Sequence, residues 1–426
     1  MAPAIRRQRA EPLHRRLLRR GPADDEHFLD ASVKILILSF YYEPDLSAGS
    51  FRATALVAAL RGRMPAGTHV DVVTTFPNRY RSFSRLPSEV DAADDLEVRR
   101  IRLPPHRSDM LGQSRAFLRF AHQALKYVAD RDYDLVFATS SRLMTAALGA
   151  WIARRKNAPL YLDIRDLFVE TINEILPAPA AWPARLLLTQ VESWTMRRAA
   201  RINLVSRGFE GYFRKHYGAS SLAWFTNGID AEFLTAAPPA SARAAGNRRT
   251  VILYAGNIGE GQGLHEILPP LALALRKRAR FVVVGDGGRR AMLETALAAQ
   301  GVDNVELRVP IARTELIAAY RAADVLFLHL GSHAAFEKVL PSKLFEYAAL
   351  GKPILAGVAG YAARFIHEEI GNAAVFAPCD VAAALVAFDS LQLTDMPRPQ
   401  FAAKYARANI ACAMADDILH LAQAQR

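Results

Sequence analysis

Short runs of consecutive apolar residues recur along the chain, and most are followed by a longer stretch with helical spacing. A continuous apolar run marks a strand buried on both faces. The pattern predicts strands over 34–39, 69–75, 134–139, 160–164 and 202–206, with helices over 51–60, 143–155 and 184–200 among them. A second series opens near residue 250. Its expected strands are 251–255, 281–285, 305–309, 325–328 and 354–356, and its helices 264–277, 289–300, 314–322, 342–350 and 381–391. An Ala-rich helix is expected over 401–424. Strands alternating with helices predict an α/β chain with parallel sheets covered on both sides. Two doubly wound, Rossmann-like domains follow, over 33–235 and 250–395. The small, Pro-containing text of 236–249 reads as their linker.

In such sheets ligands bind beyond the carboxyl ends of the strands. Two halves facing each other therefore share a cleft, and the chemistry is expected in loops that follow strands.

Composition narrows the class. The 426 residues are 51% hydrophobic and 23% charged, which excludes a disordered or fibrous chain. Cys379 and Cys412 are too few for a disulfide framework, and no Cys/His spacing suggests a metal site. No apolar run reaches the ~18–20 residues of a membrane span, and the start lacks a secretory apolar region. A cytoplasmic protein is the expectation. The net charge of +12 calls for an anionic partner. Within the arm 1–32, Arg6, Arg7, Arg9, Arg15, Arg16, Arg19 and Arg20 surround Leu13, Leu17 and Leu18. Such a segment suits an anionic membrane surface on the inner face of the cell membrane, or is simply a solvated tail. No nucleic-acid-binding signature accompanies it.

Three segments carry chemistry. Gly256-Asn257-Ile258-Gly259-Glu260-Gly261-Gln262-Gly263 follows an expected strand and precedes a helix. It matches neither the dinucleotide fingerprint nor the P-loop, but glycines there let backbone N–H groups approach a phosphate. A second such loop contains Gly285 and Gly287. The third segment, Pro341-Ser342-Lys343-Leu344-Phe345-Glu346, reads as a helix start with Ser342 as its N-cap. Lys343 there suits an anion such as a diphosphate, and Glu346, one turn on, can accept both hydroxyls of a ribose. In the first half, Gly49 and Ser50 fall in the loop after the first strand, and Arg165 and Asp166 at another strand end. His329 and His333 are weaker cleft candidates, since a lone His more often packs or caps.

With YAGNIGEGQGL, VVVGDGG, AADVLFLHL and VLPSKLFEYAALGKPILA in this order, and SFYYEPDLSAGSFR near the start, the chain resembles retaining nucleotide-sugar glycosyltransferases of family 4. It is most similar to bacterial enzymes building O-antigen, capsule or exopolysaccharide. The resemblance implies a GT-B fold with a final helix, 396–426, crossing back to the first domain. It implies a nucleotide-sugar donor, UDP by family habit, a glycan or polyprenyl-linked acceptor, and no metal or other cofactor. It places Glu346 on the donor ribose, the two glycine loops around diphosphate and sugar, and the backbone of Val309-Pro310-Ile311 on the base. Asp166 is then the group that orients or deprotonates the acceptor. Lys338 stands where many relatives have a second carboxylate, and Asn257 and Gln262 stand for the Arg and Lys of the phosphate loop; Lys343 is the substitute charge. Two other classes remain open from residues alone: a sugar-nucleotide 2-epimerase on the same architecture, and a non-catalytic sugar-nucleotide binding protein. A nicotinamide dehydrogenase fits poorly, lacking GxGxxG in its first unit.

Overall fold

The computed structural model describes residues 32–424 apart from 46, 78–86, 105–109, 141, 168, 171–181, 219–220 and 236–247. The basic arm up to residue 31 and most of the expected linker lie outside the described residues.

Two parallel sheets organise the chain. The first contains β1 (Lys34–Leu38), β2 (His69–Thr75), β3 (Val90–Ala93), β4 (Leu96–Ile101), β5 (Leu135–Thr139), β6 (Leu160–Ile164), β7 (Arg201–Leu204) and β8 (Leu222–Ala223). Its order is β3-β4-β2-β1-β5-β6-β7-β8, with only the β3–β4 pair antiparallel among them. The second contains β9 (Thr250–Ala255), β10 (Ala279–Val284), β11 (Val305–Arg308), β12 (Val325–His329), β13 (Ile354–Gly357) and β14 (Ala373–Phe376), in the order β11-β10-β9-β12-β13-β14, all parallel. Ile35, Leu36, Ile37 and Leu38 are fully buried, as a central strand with helices on both sides requires. Both orders reverse at the first strand of their half, β1 and β9. Each reversal opens a crevice at the strand ends.

Among the described residues, four strands and four helices were not expected. β3 is exposed along its whole length and β4 is partly polar, so an edge hairpin carries little apolar signal. β8 has two residues, and β14 is a half-buried edge. Helix Met110–Val128 does carry the signal: Ala116, Phe120, Ala124 and Val128 form a buried i, i+4 stripe. Helices Glu210–Tyr217, Ala231–Leu234 and Gly360–Glu369 are the other three. The expected terminal helix is two, Pro399–Lys404 and Arg407–Gln423. The break has a cause. Ile229 donates its N–H to the Tyr405 carbonyl at 2.8 Å, and Arg407 donates to the Ile229 carbonyl at 2.8 Å. Backbone pairing with the crossover before β9 competes with helix there.

Helix Arg407–Gln423 returns to the first lobe, where Met414, Ala415, Ile418 and Leu419 share a core with Val33, Ile35 and Leu56. Arg52, in helix Ala48–Arg61, ties this return in place. Its guanidinium donates twice to Asp163, at 2.8 and 2.9 Å, and to the Thr226 and Phe225 carbonyls. Asn203 donates to the same carboxylate at 2.7 Å. Burial pushes the Asp163 carboxyl up, and Arg52 more than reverses it, so the group stays below the usual carboxylate range. Removing one member of a buried pair leaves the other uncompensated, which costs about 3–5 kcal/mol. Arg52→Met is therefore expected to lose stability of that order in urea unfolding; a loss under 1 kcal/mol would show that the network is not structural.

Candidate active site

The carboxyl ends of both sheets face one cavity of about 530 Å³, lined by Tyr41, Gly49, Arg165 and Asp166 from the first lobe and Gly256, Asn257, Lys343 and Glu346 from the second. A smaller one of about 130 Å³ adjoins it, with Phe51, Val284, Pro310, Ile311 and Arg313 in its wall. Glu346, Gly256 and Phe51 border both.

The glycines at this site serve backbone contact. A Cβ on Gly285 would lie 1.9 Å from the Gly256 carbonyl oxygen, and one on Gly287 2.5 Å from that of Ile258. The loops after β9 and β10 thus run against each other, joined by Gly256 N–H to Val284 and Ile258 N–H to Asp286, both at 2.9 Å. Gly256 has φ +143, and a Cβ there would meet the Lys343 Nζ at 2.4 Å. The ammonium rests on this bare backbone and 3.9 Å from the centre of the Tyr254 ring. Tyr254 donates its hydroxyl to the Asn257 carbonyl at 2.6 Å. Asn257 and Gln262 both line the cavity, but their amides bond each other at 2.9 Å, and Gln262 also accepts the Gly259 N–H at 3.2 Å. Their first task is to fold the loop.

Helix Lys343–Ala349 presents Lys343 and Glu346 to the same space. Burial pushes the Glu346 carboxyl up to about 7, against the pull of Arg313. Arg313 and Arg407 stand near it, yet both bind Asp230: Arg407 by Nε at 2.5 Å and Nη2 at 3.3 Å, Arg313 by an ion pair. Arg313 also donates to Glu232 at 2.8 Å and lies 4.2 Å from the centre of the Phe51 ring, across the two lobes.

Several expected positions differ. Gly49 and Ser50 are not loop residues but the first turn of helix Ala48–Arg61, capped by the Ser47 hydroxyl on the Ser50 N–H at 3.2 Å. Gly49 lines the cavity; Ser50 is 1% exposed and points under the helix. Pro341 and Ser342 line the cavity, but Ser342 already has helical angles and its hydroxyl makes no capping bond. Gly259, Gly263 and Gly287 shape the loops without lining either cavity, while Gly285 lines the smaller. Val309 is 65% exposed and points outward; Pro310 and Ile311 take the wall. Asp166 is exposed at the cavity rim. The Arg165 guanidinium is held in the wall, where burial lowers it to about 10. Lys338 does not face the cavity: it forms an ion pair with Glu170 of the first lobe, while its carbonyl accepts the Ser206 hydroxyl at 2.6 Å.

His329 is structural. Its Nε2 accepts the Cys379 N–H at 3.0 Å, so the proton is on Nδ1 and goes to the Gln262 carbonyl at 2.7 Å. Burial lowers it to about 4. His333 borders a separate cavity of about 70 Å³. Sequence reading missed Phe51, Asp230, Arg313 and Arg407. Phe51 was within reach, beside Gly49 and Ser50; the three charged residues are joined by the crossover, which no local pattern reveals. His69, Asp71 and Glu97 lie close enough to hold a cation, but the Arg131 guanidinium already bonds both carboxylates.

Residues 49–228 match the model of the Glycosyl transferase 4-like domain, and 241–408 that of Glycosyl transferases group 1. WcaI of Escherichia coli (strain K12), named for colanic acid biosynthesis, is 31% identical over 105 residues, 25% of this chain and 26% of that protein. A D-inositol 3-phosphate glycosyltransferase of Kineococcus radiotolerans is 26% identical over 61% of this chain and 63% of its own length. The match thus spans about a quarter of the first relative and under two thirds of the second. Among solved structures, sucrose-phosphate synthase from Thermosynechococcus elongatus superposes with TM-score 0.63 at 17% identity, covering 93% of this chain and 97% of that one. WaaG, a glycosyltransferase involved in lipopolysaccharide biosynthesis, gives 0.59 at 16% over 92% and 98%. Anabaena HepE in complex with UDP gives 0.54 at 16% over 93% and 98%. These likenesses establish the shared two-lobed fold.

The raised Glu346 carboxyl makes a stability prediction. Below about 4.5 it is protonated folded and unfolded; from there to about 7 only the unfolded chain ionises it, so stability falls as pH rises through that window. Glu346→Gln lacks this loss. Without ligand the variant is expected to gain on the wild type by on the order of 1–2 kcal/mol between pH 5 and pH 8 in thermal unfolding. A constant difference across that range would contradict the burial of the charge.

Proposed function

The chain belongs to the GT-B glycosyltransferases of family 4, and from that membership we propose that it transfers a sugar from a nucleotide-sugar donor to a glycan or lipid-linked acceptor. The observation that carries this reading is the position of Glu346. It stands where a small, largely apolar cavity meets the larger polar one, with the Lys343 ammonium beside it on bare backbone. A nucleoside diphosphate has that sequence of parts: a flat base, a diol, then two phosphates.

On this reading the base enters the smaller cavity along Pro310 and Ile311, and the carboxylate of Glu346 accepts the two ribose hydroxyls. Lys343 and backbone N–H groups of the loop after β9 meet the diphosphate. Charge develops on it as the glycosidic bond breaks, and a fixed ammonium in a water-poor cleft stabilises that charge more than the ground state. The proposal needs no metal, because Lys343 brings positive charge to the place where a cation would sit. Retention at the anomeric carbon follows family habit: the leaving phosphate accepts the acceptor's proton on the face from which it departs. Asp166, at the first-lobe rim, orients the acceptor hydroxyl, and Arg165 borders its path. Closing of the lobes excludes water and limits hydrolysis. An acceptor in surface-polysaccharide assembly is supported by the name of WcaI, and UDP as the nucleotide by HepE binding UDP; a hexosyl or N-acetylhexosaminyl group follows family habit. The basic arm adds an attraction to the inner membrane surface. Among the described residues no helix is long and apolar enough to cross a membrane.

Titration calorimetry with UDP tests the site. Lys343→Ala and Glu346→Ala are each expected to weaken binding by about tenfold or more, about 1.4 kcal/mol, in proteins whose circular dichroism is unchanged. Wild-type affinity in both would remove the donor assignment. Affinity in the wild type is also expected to fall from pH 8 to pH 6, as Glu346 takes up its proton.

A further inference from the structure

We propose that the substrates of this cleft include an acidic sugar, whose carboxylate or phosphate is read by Arg165 on the first-lobe wall. The inference rests on the sugar transfer proposed above and names one chemical class within it.

Arg165 follows β6 directly, and its backbone N–H is held by the Ser140 hydroxyl at 3.0 Å, so a fixed strand end carries this side chain to the wall of the larger cavity. Its Nη1 is buried and has no hydrogen-bond acceptor among the described residues. A buried donor without an acceptor is costly, and more so when it is charged. Neighbouring acids do not remove that cost. Asp163 attracts Arg165, but both oxygens of this carboxylate already accept from Arg52, and one accepts from Asn203 as well. Asp166 attracts it too, from an exposed position at the rim, while Arg52 and Arg407 oppose its charge. Burial lowers the guanidinium to about 10, which leaves it cationic at neutral pH. An anion brought by a ligand completes the arrangement, and a carboxylate or phosphate matches the planar fork of a guanidinium. The donor diphosphate is a poor match for this anion, because on the proposed reading it lies against Lys343, which the second lobe holds on Gly256 and Tyr254.

The carboxyl edge of the first sheet repeats the theme. Arg102 follows β4, Arg142 follows β5 and Arg207 follows β7. Each lies over an aromatic ring: Phe76 at 4.3 Å, Phe40 at 4.2 Å and Trp224 at 5.0 Å. A guanidinium beside an aromatic face suits both parts of an acidic sugar, since the ring covers C–H groups and the cation meets the acid. A neutral sugar uses only the first.

The acid belongs either to the transferred sugar or to the acceptor, and two titrations separate these sources. Calorimetry with UDP-glucuronic acid against UDP-glucose reads the first. Saturation-transfer NMR with glucuronic acid and glucose 6-phosphate against glucose, each with UDP bound, reads the second. In at least one of the two the wild type is expected to prefer the acidic ligand by about tenfold. Arg165→Gln should erase that preference and Arg165→Lys keep part of it. Equal affinity for acidic and neutral ligands in both titrations of the wild type would overturn the assignment, and that comparison needs no variant to fold. A preference that survives in Arg165→Gln would also overturn it. So would a loss of affinity for UDP alone in Arg165→Gln, which would put the guanidinium on the diphosphate. A wild type that binds no UDP would overturn instead the donor reading on which this one rests.

Discussion

The chain passes between its two sheets twice, and the two passages are bonded to each other. Ile229 on the way out pairs by backbone with Tyr405 and Arg407 on the way back, and Gly228 is bare because a Cβ would come within 2.6 Å of the Arg407 Cα. Asp230 then draws in Arg407 from the terminal helix and Arg313 from the second lobe. A close crossing held by short backbone bonds and a shared carboxylate restricts how the lobes can move. The cavity lies beside it, with Arg407 in its wall. A second tie, from Lys338 to Glu170 and Ser206, spans the lobes away from the crossover. It rests on a side-chain ion pair and one hydroxyl, so it is the easier of the two to break.

The donor lobe uses glycine for closeness more than for flexibility. The loops after β9 and β10 touch carbonyl to bare Cα, which extends the β9–β10 ladder past the last strand residue. That stiffens the floor of the cavity and leaves a gap at Gly256 which the Lys343 ammonium fills. An ammonium set against backbone and an aromatic face is held in position by both. Preorganised charge of this sort costs little further reorganisation when a diphosphate arrives.

The fold was legible in the sequence where burial on both faces leaves mostly apolar strands: β1, β2 and β6 fall where they were expected, though Asp71 and Asp163 interrupt the last two. It was illegible at edges. β3 and β14 have one side in solvent, and β8 is too short for any periodicity. The break at residue 405 obeys a tertiary bond with Ile229 rather than local propensity, since the flanking text is good helix on both sides. The site divides in the same way. Lys343 and Glu346 are one turn apart and readable together, whereas Phe51, Arg313 and Arg407 come from three elements. Gln262 shows the opposite error: a residue placed on the ligand by its position in a loop has its carbonyl and amide engaged in building that loop.

Why Glu346 holds its proton so readily follows from the crossover. Two arginines within its field ought to draw a carboxyl well below 4.5, yet burial prevails. Asp230 pairs with both arginines and Glu232 also takes Arg313, which offsets much of their charge, and Asp230 itself opposes a second negative charge nearby. Burial still outweighs these cations, so the carboxylate is best stabilised by hydrogen-bond donors that arrive with a ligand. Ribose hydroxyls are donors of this kind, and they hold the ionised form at pH values where the empty protein is partly protonated. Ligand entry and proton release are then two aspects of one equilibrium.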